Sequence, residues 1–333
     1  MKQAISENLV KVGSLKAVRE VTVYENDTDQ RLDRFLQKAF PNLSLSLSQK
    51  LIRKKRIKVN NARTEANYRL QAGDVIKLYL SDELLASKKQ DILPKADKKF
   101  GICYEDEQII ILEKPPNIPC HSNQRQGETT LVDMLKSYLY ESGAWDPKQE
   151  QSFVPALSNR LDRNTGGLVL AGKTAAAQKM LNEKIRLQEI EKYYLLAVYG
   201  LPNPPKGTIT GNLTKDGEKN QVRVTGDKTE GKQAITEYET IETKGDLSLV
   251  QCKLITGRSH QIRVHMQSLG TAILGDRKYG ADIPKDAPRE KQQALWAYQI
   301  RFAFTTDAGV LEYLKGKNFI SSTVPFVQKY FEN

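Results

Sequence analysis

Leu32, Phe35, Leu36, Ala39 and Phe40 recur at the i, i+3, i+4 spacing of one helix face, and Arg31, Asp33, Arg34 and Lys38 fill the other. The spacing predicts an amphipathic helix over 31–40, ended by Pro41-Asn42. Asp33 is expected as a solvated carboxylate in its first turn, where the helix dipole favours it. Val18 to Tyr24 reads as a short strand ahead of that helix. A second helix is predicted to start near Ser46 or Ser48, either of which can cap it, and to run through Arg53, Lys54, Lys55 and Arg56. Arg56-Ile57-Lys58-Val59 then alternates as a strand, Asn60-Asn61 makes a turn, and Gly73-Asp74 introduces a strand from Val75 to Leu80. Two helices with a basic edge and a few small strands make a module of about 55 residues, small but viable as an appended domain. Residues 1–81 are assigned to it.

Residues 82–98 carry charge without apolar pattern and read as a linker. From Phe100 the pattern changes. Strand-like runs recur at 108–112, 168–171, 194–199, 236–241 and 247–254, with helical patterns near 129–140 and 174–186. Residues 99–333 are therefore expected to form a mixed α+β domain with an extensive, largely antiparallel sheet. No repeat of solenoid length is visible.

Charge sharpens the picture. The chain has 333 residues and a net charge of +11. Residues 31–80 hold twelve Lys/Arg against three Asp/Glu, so nearly all the excess lies in that stretch. Arg53-Lys54-Lys55-Arg56 is its densest part, the footprint of a phosphate-backbone binder. A solvated helix end is the plainer reading. No apolar anchors are interleaved with it, which argues against membrane insertion. Cys103, Cys120 and Cys252 show no metal-ligand spacing, nor do His121, His260 and His265, so neither zinc nor disulfides are expected. With no apolar run of signal-peptide or membrane-spanning kind, a cytoplasmic protein is expected.

The candidate chemistry centres on Asn159-Arg160-Leu161-Asp162-Arg163-Asn164-Thr165-Gly166-Gly167, just ahead of an apolar strand. Arg-Leu-Asp-Arg also occurs at 31–34, but there the context is helical. At 160–163 it is a loop, where reactive groups are commonly carried. Flanking cations keep a carboxylate ionised, and an ionised, positioned carboxylate serves as nucleophile or base. A structural salt bridge stays open as the alternative. Gly257-Arg258-Ser259-His260-Gln261-Ile262-Arg263-Val264-His265 is a second cationic segment, readable as an anion-contacting strand or helix start, or simply as packed Ile262 and Val264 with solvated charges. Together the two segments supply complementary charge for a cleft.

Two resemblances follow from these residues. Gln30 to Leu80 resembles an S4-type RNA-binding domain, through RLDRFL, IRKKRIKVNN and YRLQAGDVI. The larger part resembles the RluA-type pseudouridine synthases, and the appended module places the chain near the branch acting on large-subunit ribosomal RNA. The matching segments, in order, are Lys114-Pro115 through His121, Arg160-Leu161-Asp162-Arg163, Lys192-Tyr193-Tyr194-Leu195, 257–265, and Gly275-Asp276-Arg277-Lys278-Tyr279-Gly280. Asn159 departs from a usual histidine, and a glycine, Gly166 or Gly167, stands where a serine is expected.

The resemblance implies an isomerase that converts uridine in RNA to pseudouridine without metal, redox or nucleotide cofactor. It implies Asp162 as the essential carboxylate, acting on ribose or uracil as nucleophile or base, and Arg263 as its basic partner. Tyr194 would stack on the uracil and help remove the proton from carbon 5. Arg160 would support RNA once the uridine is flipped from its stack, and Val264 would be an apolar substrate contact beside Arg263. Arg53, Lys54, Lys55 and Arg56 would bind structured RNA, ribosomal RNA in the first instance, and the enzyme is expected as a monomer. His260 and His265 are expected in structural or RNA-contact roles, and His121 in a structural one. The alternatives are a non-catalytic RNA-binding factor on the ribosome and a synthase acting on transfer RNA.

Overall fold

The computed structural model describes residues 18–86, 96–122, 127–150, 152–216, 221–225, 230–280 and 288–332. Residues 1–17, and 87–95 in the middle of the expected linker, lie outside the described residues. The chain divides into two compact units, Met1–Ile92 with Asp146–Phe153, and Leu93–Trp145 with Val154–Asn333.

The first unit contains strand β1 (Arg19–Thr22), helices α1 (Leu32–Ala39) and α2 (Leu45–Arg53), and strands β2 (Ile57–Val59) and β3 (Val75–Leu78). The strands form an antiparallel sheet in the order β1-β3-β2. Leu32, Phe35 and Leu36 of α1 are fully buried against Ile57, Leu70, Ile76 and Leu78, as the apolar stripe predicts. Asn60 and Asn61 both take positive φ in the turn after β2, a conformation asparagine tolerates.

Three expectations need correction. Helix α2 ends at Arg53 and does not run on through Lys54, Lys55 and Arg56, Lys55 taking a left-handed φ of 61°. The cap of α2 is Ser44, whose Oγ accepts the Leu47 amide at 3.3 Å, not Ser46 or Ser48. Asp33 is not solvated: its side chain has no exposure and accepts from Arg31 Nε at 3.1 Å, Arg31 NH2 at 2.8 Å and Gln49 Nε2 at 2.9 Å. Gln49 lies on α2, so helix packing turns a first-turn carboxylate into a buried tie between helices. The segment 146–153 joins this unit through Ser152, whose amide donates to the buried Asp27 at 2.9 Å.

The second unit contains β4 (Gly101–Glu105), β5 (Ile109–Lys114), α3 (Leu131–Glu141), β6 (Gly166–Gly172), α4 (Ala175–Arg186), β7 (Ile190–Tyr199), β8 (Lys206–Asp216), β9 (Gln221–Thr225), β10 (Lys232–Lys244), β11 (Leu247–Leu254), α5 (Gln261–Ser268), β12 (Leu295–Phe302), β13 (Asn318–Ile320) and α6 (Pro325–Tyr330). Its ten strands run β4-β5-β6-β12-β7-β11-β10-β8-β9, with β13 beside β12. Only β6–β12 is parallel among the described pairings, so the sheet is mixed and largely antiparallel. A core of Ile109, Ile111, Leu168, Leu170, Leu181 and Phe302 lies between the sheet and α4.

The parallel contact explains two glycines. Gly166 registers with Trp296 and Gly167 with Ala297. A Cβ on Gly166 would fall inside the Trp296 indole, and one on Gly167, at φ +112°, would strike the Ala297 backbone. No side chain fits at either position, so the loop ahead of β6 is anchored at a point of close backbone approach. Among the described residues, no helix is long and apolar enough to cross a membrane.

Candidate active site

The loop 159–165 is fixed from both ends before any reactive group is considered. Asn159 pairs with β6, its Oδ1 accepting the Leu170 amide at 2.7 Å. Buried Leu161 donates its amide to Cys120 Sγ at 3.3 Å. Thr165 closes the turn onto the Asp162 carbonyl at 3.1 Å and receives Gln293 Nε2 on its hydroxyl at 2.6 Å. Lys114, with no exposed surface, donates to the carbonyls of Pro115, Ile118 and Arg163 at 3.0, 2.8 and 2.9 Å. It thereby ties the loop after β5 to the Asp162 loop, and burial pushes its ammonium down to about 8.

Opposite this loop stands α5. Its start is set by Gln261, 2 % exposed, whose side chain receives the Arg258 amide at 3.0 Å and the Thr256 hydroxyl at 2.9 Å. Gln261 Nε2 donates to the Ile235 carbonyl and Thr236 Oγ1 on β10, both at 2.9 Å. His260, the residue before the helix, is left-handed with φ 56°. Its Nδ1 lies 2.8 Å from the Tyr279 hydroxyl and its Nε2 lies 4.0 Å from Asp162.

Arg263 joins the two sides. Its NH1 donates to Asp162 Oδ2 at 3.0 Å, while Nε and NH2 fork onto Asp276 at 2.6 and 2.8 Å. The guanidinium also lies 4.9 Å from the centre of the Tyr279 ring. Asp276 accepts the Lys278 and Tyr279 amides in addition. Burial raises the Asp276 carboxyl, but the bonds and charge of Arg263 outweigh it and hold the group below the usual carboxylate range. Desolvation opposes the charge on Arg263, yet its two carboxylate partners raise its pKa further. The outcome is a buried aspartate that fixes an arginine, which presents one remaining prong to Asp162.

Asp162 itself is 22 % exposed at the side chain and lines a cavity of about 460 Å³ with Arg160, Tyr194, His260 and Arg263. Tyr194, on β7, is 5 % exposed; burial, and then the Asp162 charge, raise its phenol well above the ordinary value. The cavity can therefore hold a flat ring against a neutral phenol, next to an ionisable carboxylate whose orientation is set.

The structure thus brings Asp162, Tyr194, Arg263 and the exposed Arg160 to one cavity. Val264 is not among its lining residues: it is 3 % exposed and packs with Leu213, Val222, Ala234 and Tyr279. The segment is helical there, so the residue after Arg263 is turned about 100° away and faces the core. Nor does Arg163 hold Asp162, since its guanidinium forks onto Glu128, at 2.7 Å for NH2. Arg53, Lys54, Lys55 and Arg56 are all exposed in the first unit, and none forms an ion pair among the described residues. In the sequence Asp276 stands without an evident role, and nothing marks Lys114, Gln261 and Tyr279 as supports. No local pattern links Asp276 to Arg263, thirteen positions before it.

His265 settles into a structural place. It has no exposure, and its Nδ1 is 2.9 Å from Thr236 Oγ1. Burial pushes its pKa down to about 4. A histidine held neutral stabilises the fold above its unfolded pKa near ~6.5 and loses that contribution as pH falls toward its folded value. Stability should fall by about 3 kcal/mol between pH ~6.5 and ~4 from this residue. Urea unfolding across that range checks it, because His265→Gln should flatten the slope.

The RNA pseudouridylate synthase family model matches residues 108–268, and the S4 domain model matches residues 30–76. An uncharacterised RNA pseudouridine synthase of Chlorobaculum parvum is 31 % identical, over 86 % of this chain and 90 % of the relative. The chain belongs to the RNA pseudouridine synthase family. A ribosomal large subunit pseudouridine synthase C of Rickettsia prowazekii is also 31 % identical, over 75 % of this chain and 82 % of its own. In fold the chain resembles the human RNA pseudouridylate synthase domain containing 4, with a TM-score of 0.52 at 22 % identity, over 68 % of this chain and 89 % of that one. The protein is thus an RNA-acting isomerase with an S4 domain ahead of its synthase domain.

Proposed function

We propose that this synthase isomerises uridine in large-subunit ribosomal RNA, with Asp162 as its reactive carboxylate, Arg263 as the residue that orients it and Tyr194 as the platform for the uracil. The observation that carries the site assignment is the single prong of Arg263 on Asp162, with its other two bonds committed to buried Asp276. A carboxylate so held is fixed in orientation on the wall of the cavity. It acts on ribose or uracil as the glycosidic bond breaks, and positive charge developing at the sugar is met by negative charge, as in glycoside cleavage. The base then turns and bonds the sugar through carbon 5; carbon 5 loses its proton and nitrogen 1, freed from the sugar, gains one, so atoms balance with no added reactant. The raised phenol of Tyr194 is neutral near pH 7 and suits stacking; it does not suit removal of the carbon 5 proton by a phenolate. Arg160, exposed at the mouth of the cavity, is placed to occupy the gap left by a flipped nucleotide.

The ribosomal target is supported by relatives such as the Rickettsia prowazekii large-subunit enzyme and by the basic S4 module. Residues 31–80 supply much of the affinity for structured RNA, and a monomer in the cytoplasm suffices for this scheme. Neutralising Arg53, Lys54, Lys55 and Arg56 together is expected to weaken binding of a large-subunit RNA fragment. It should also reduce the salt slope of log K by up to about 3–4, near one per lost phosphate contact. Affinity and slope equal to wild type across a salt series would remove the cluster from the RNA surface. Production of pseudouridine in that fragment by the wild-type protein tests the reaction itself.

A further inference from the structure

Lys192 lines the same cavity as Asp162 and Tyr194 and has no part in the scheme above. It lies two residues before Tyr194 on β7, so the two side chains leave the same face of the sheet, about 7 Å apart along the strand. Its environment differs from that of four other enclosed lysines of this domain. Lys184 pairs with Glu189 at 2.6 Å, Lys253 with Glu191 at 2.6 Å and Lys173 with Glu105 at 2.7 Å. Lys114 fills its three donor positions with carbonyls. Lys192 is half-buried, and its one hydrogen bond among the described residues is a long contact of 3.5 Å to the Ile190 carbonyl. Burial lowers its pKa, and no neighbouring charge offsets that effect. A cation withdrawn from water without a counter-ion is costly and suggests an anion that arrives from outside.

The rest of the wall agrees. Arg160, Arg186 and Arg258 line the same cavity, and Asp162 is its one carboxylate among the described residues. Arg160 and Arg186 are exposed and form no ion pair among the described residues. A bound RNA offers two anionic species here, the phosphodiesters and the uracil anion released on cleavage. The phosphodiester is charged from binding to release, so only it supplies a lasting counter-charge.

Building on the reading under Proposed function, we propose that Lys192 seats a phosphodiester adjoining the target uridine, with Arg160 and Arg186 at its rim. An uncompensated ammonium then costs the free enzyme stability and supplies affinity for RNA.

The test compares wild type, Lys192→Met and Lys192→Arg on a large-subunit RNA fragment, by equilibrium binding over a salt series, thermal melting and turnover. Lys192→Met should bind about tenfold more weakly, with a salt slope smaller by about one. Its melting temperature should equal or exceed that of wild type, and its kcat should stay within about twofold. Lys192→Arg should retain most of the affinity. In an oligonucleotide spanning the modified uridine, one neutral methylphosphonate beside that uridine should weaken wild type but not Lys192→Met. Unchanged affinity and slope in Lys192→Met would overturn the proposal. So would a fall in kcat with intact affinity, which would place the ammonium on the uracil, or a lowered melting temperature with unchanged slope. If wild type forms no pseudouridine, the proposed reaction fails, while the binding and melting arms still decide the role of Lys192.

Discussion

Asp162→Asn is expected to abolish pseudouridine formation, by ~10⁴-fold or more, while RNA affinity stays within about twofold of wild type. Asparagine keeps the size of the side chain and can still accept from Arg263, so the cavity, the loop and the basic surface persist. The lost feature is the negative charge that meets the sugar or base as the glycosidic bond breaks. Single-turnover assays with excess enzyme separate this from a binding defect. Turnover above about one per cent of wild type would place the reactive group elsewhere. Asp33→Asn, in the duplicate tetrapeptide, should leave turnover per folded molecule unchanged. It should lower stability, because Asp33 is a buried partner of Arg31 and Gln49.

Arg263 has the second large effect, and its two commonest replacements should fail differently. Arg263→Ala leaves Asp276, which has no exposed surface, without its cation. Removing one partner of a buried pair typically costs about 3–5 kcal/mol, so this variant should melt early as well as lose activity. Arg263→Lys keeps the charge but cannot fork onto Asp276 and also reach Asp162. It should stay folded and lose a charge-assisted hydrogen bond worth about 1.5–3 kcal/mol, or roughly 10–100-fold in rate. Melting curves and kcat measured together distinguish the two. Wild-type behaviour in both variants would mean that the Asp162 pairing has no role in the reaction.

The parts of this fold that were legible in the sequence are those built from local pattern. The stripe Leu32, Phe35, Leu36, Ala39 gave α1 because a helix repeats every 3.6 residues, and the alternation at Arg56–Val59 gave β2. Strand β8 escaped notice because Thr, Lys and Gly predominate there, and β9 because it is only five residues long; β8 is placed by pairing with β10, and β9 by pairing with β8. Segment 257–265 was ambiguous for a different reason. Its helix begins at a left-handed His260 and is pinned by Gln261 to β10, a contact made across some 25 residues of sequence. That ambiguity left the side to which Val264 turns open, and the helix turns it to the core beside Leu213, Val222 and Ala234.

Charge was read correctly in kind but not always in partner. The arginines beside Asp162 in sequence appeared to be its cations, yet Arg163 turns to Glu128 and the cation comes from α5, about a hundred positions away. Asp276 is invisible as a support until Gly275 brings the chain back beneath Arg263. Local sequence shows which groups are available to a site; the long-range pairing that decides which of them meet is set by the sheet.

The central claim, that Asp162 of this protein makes pseudouridine in RNA, is tested most directly by mapping pseudouridine in total RNA from cells with and without the gene, and from deleted cells carrying wild type or Asp162→Asn. The account predicts at least one uridine, in large-subunit ribosomal RNA, whose modification disappears on deletion and returns with wild type but not with Asp162→Asn. Identical maps with and without the gene, or restoration by Asp162→Asn, would contradict it.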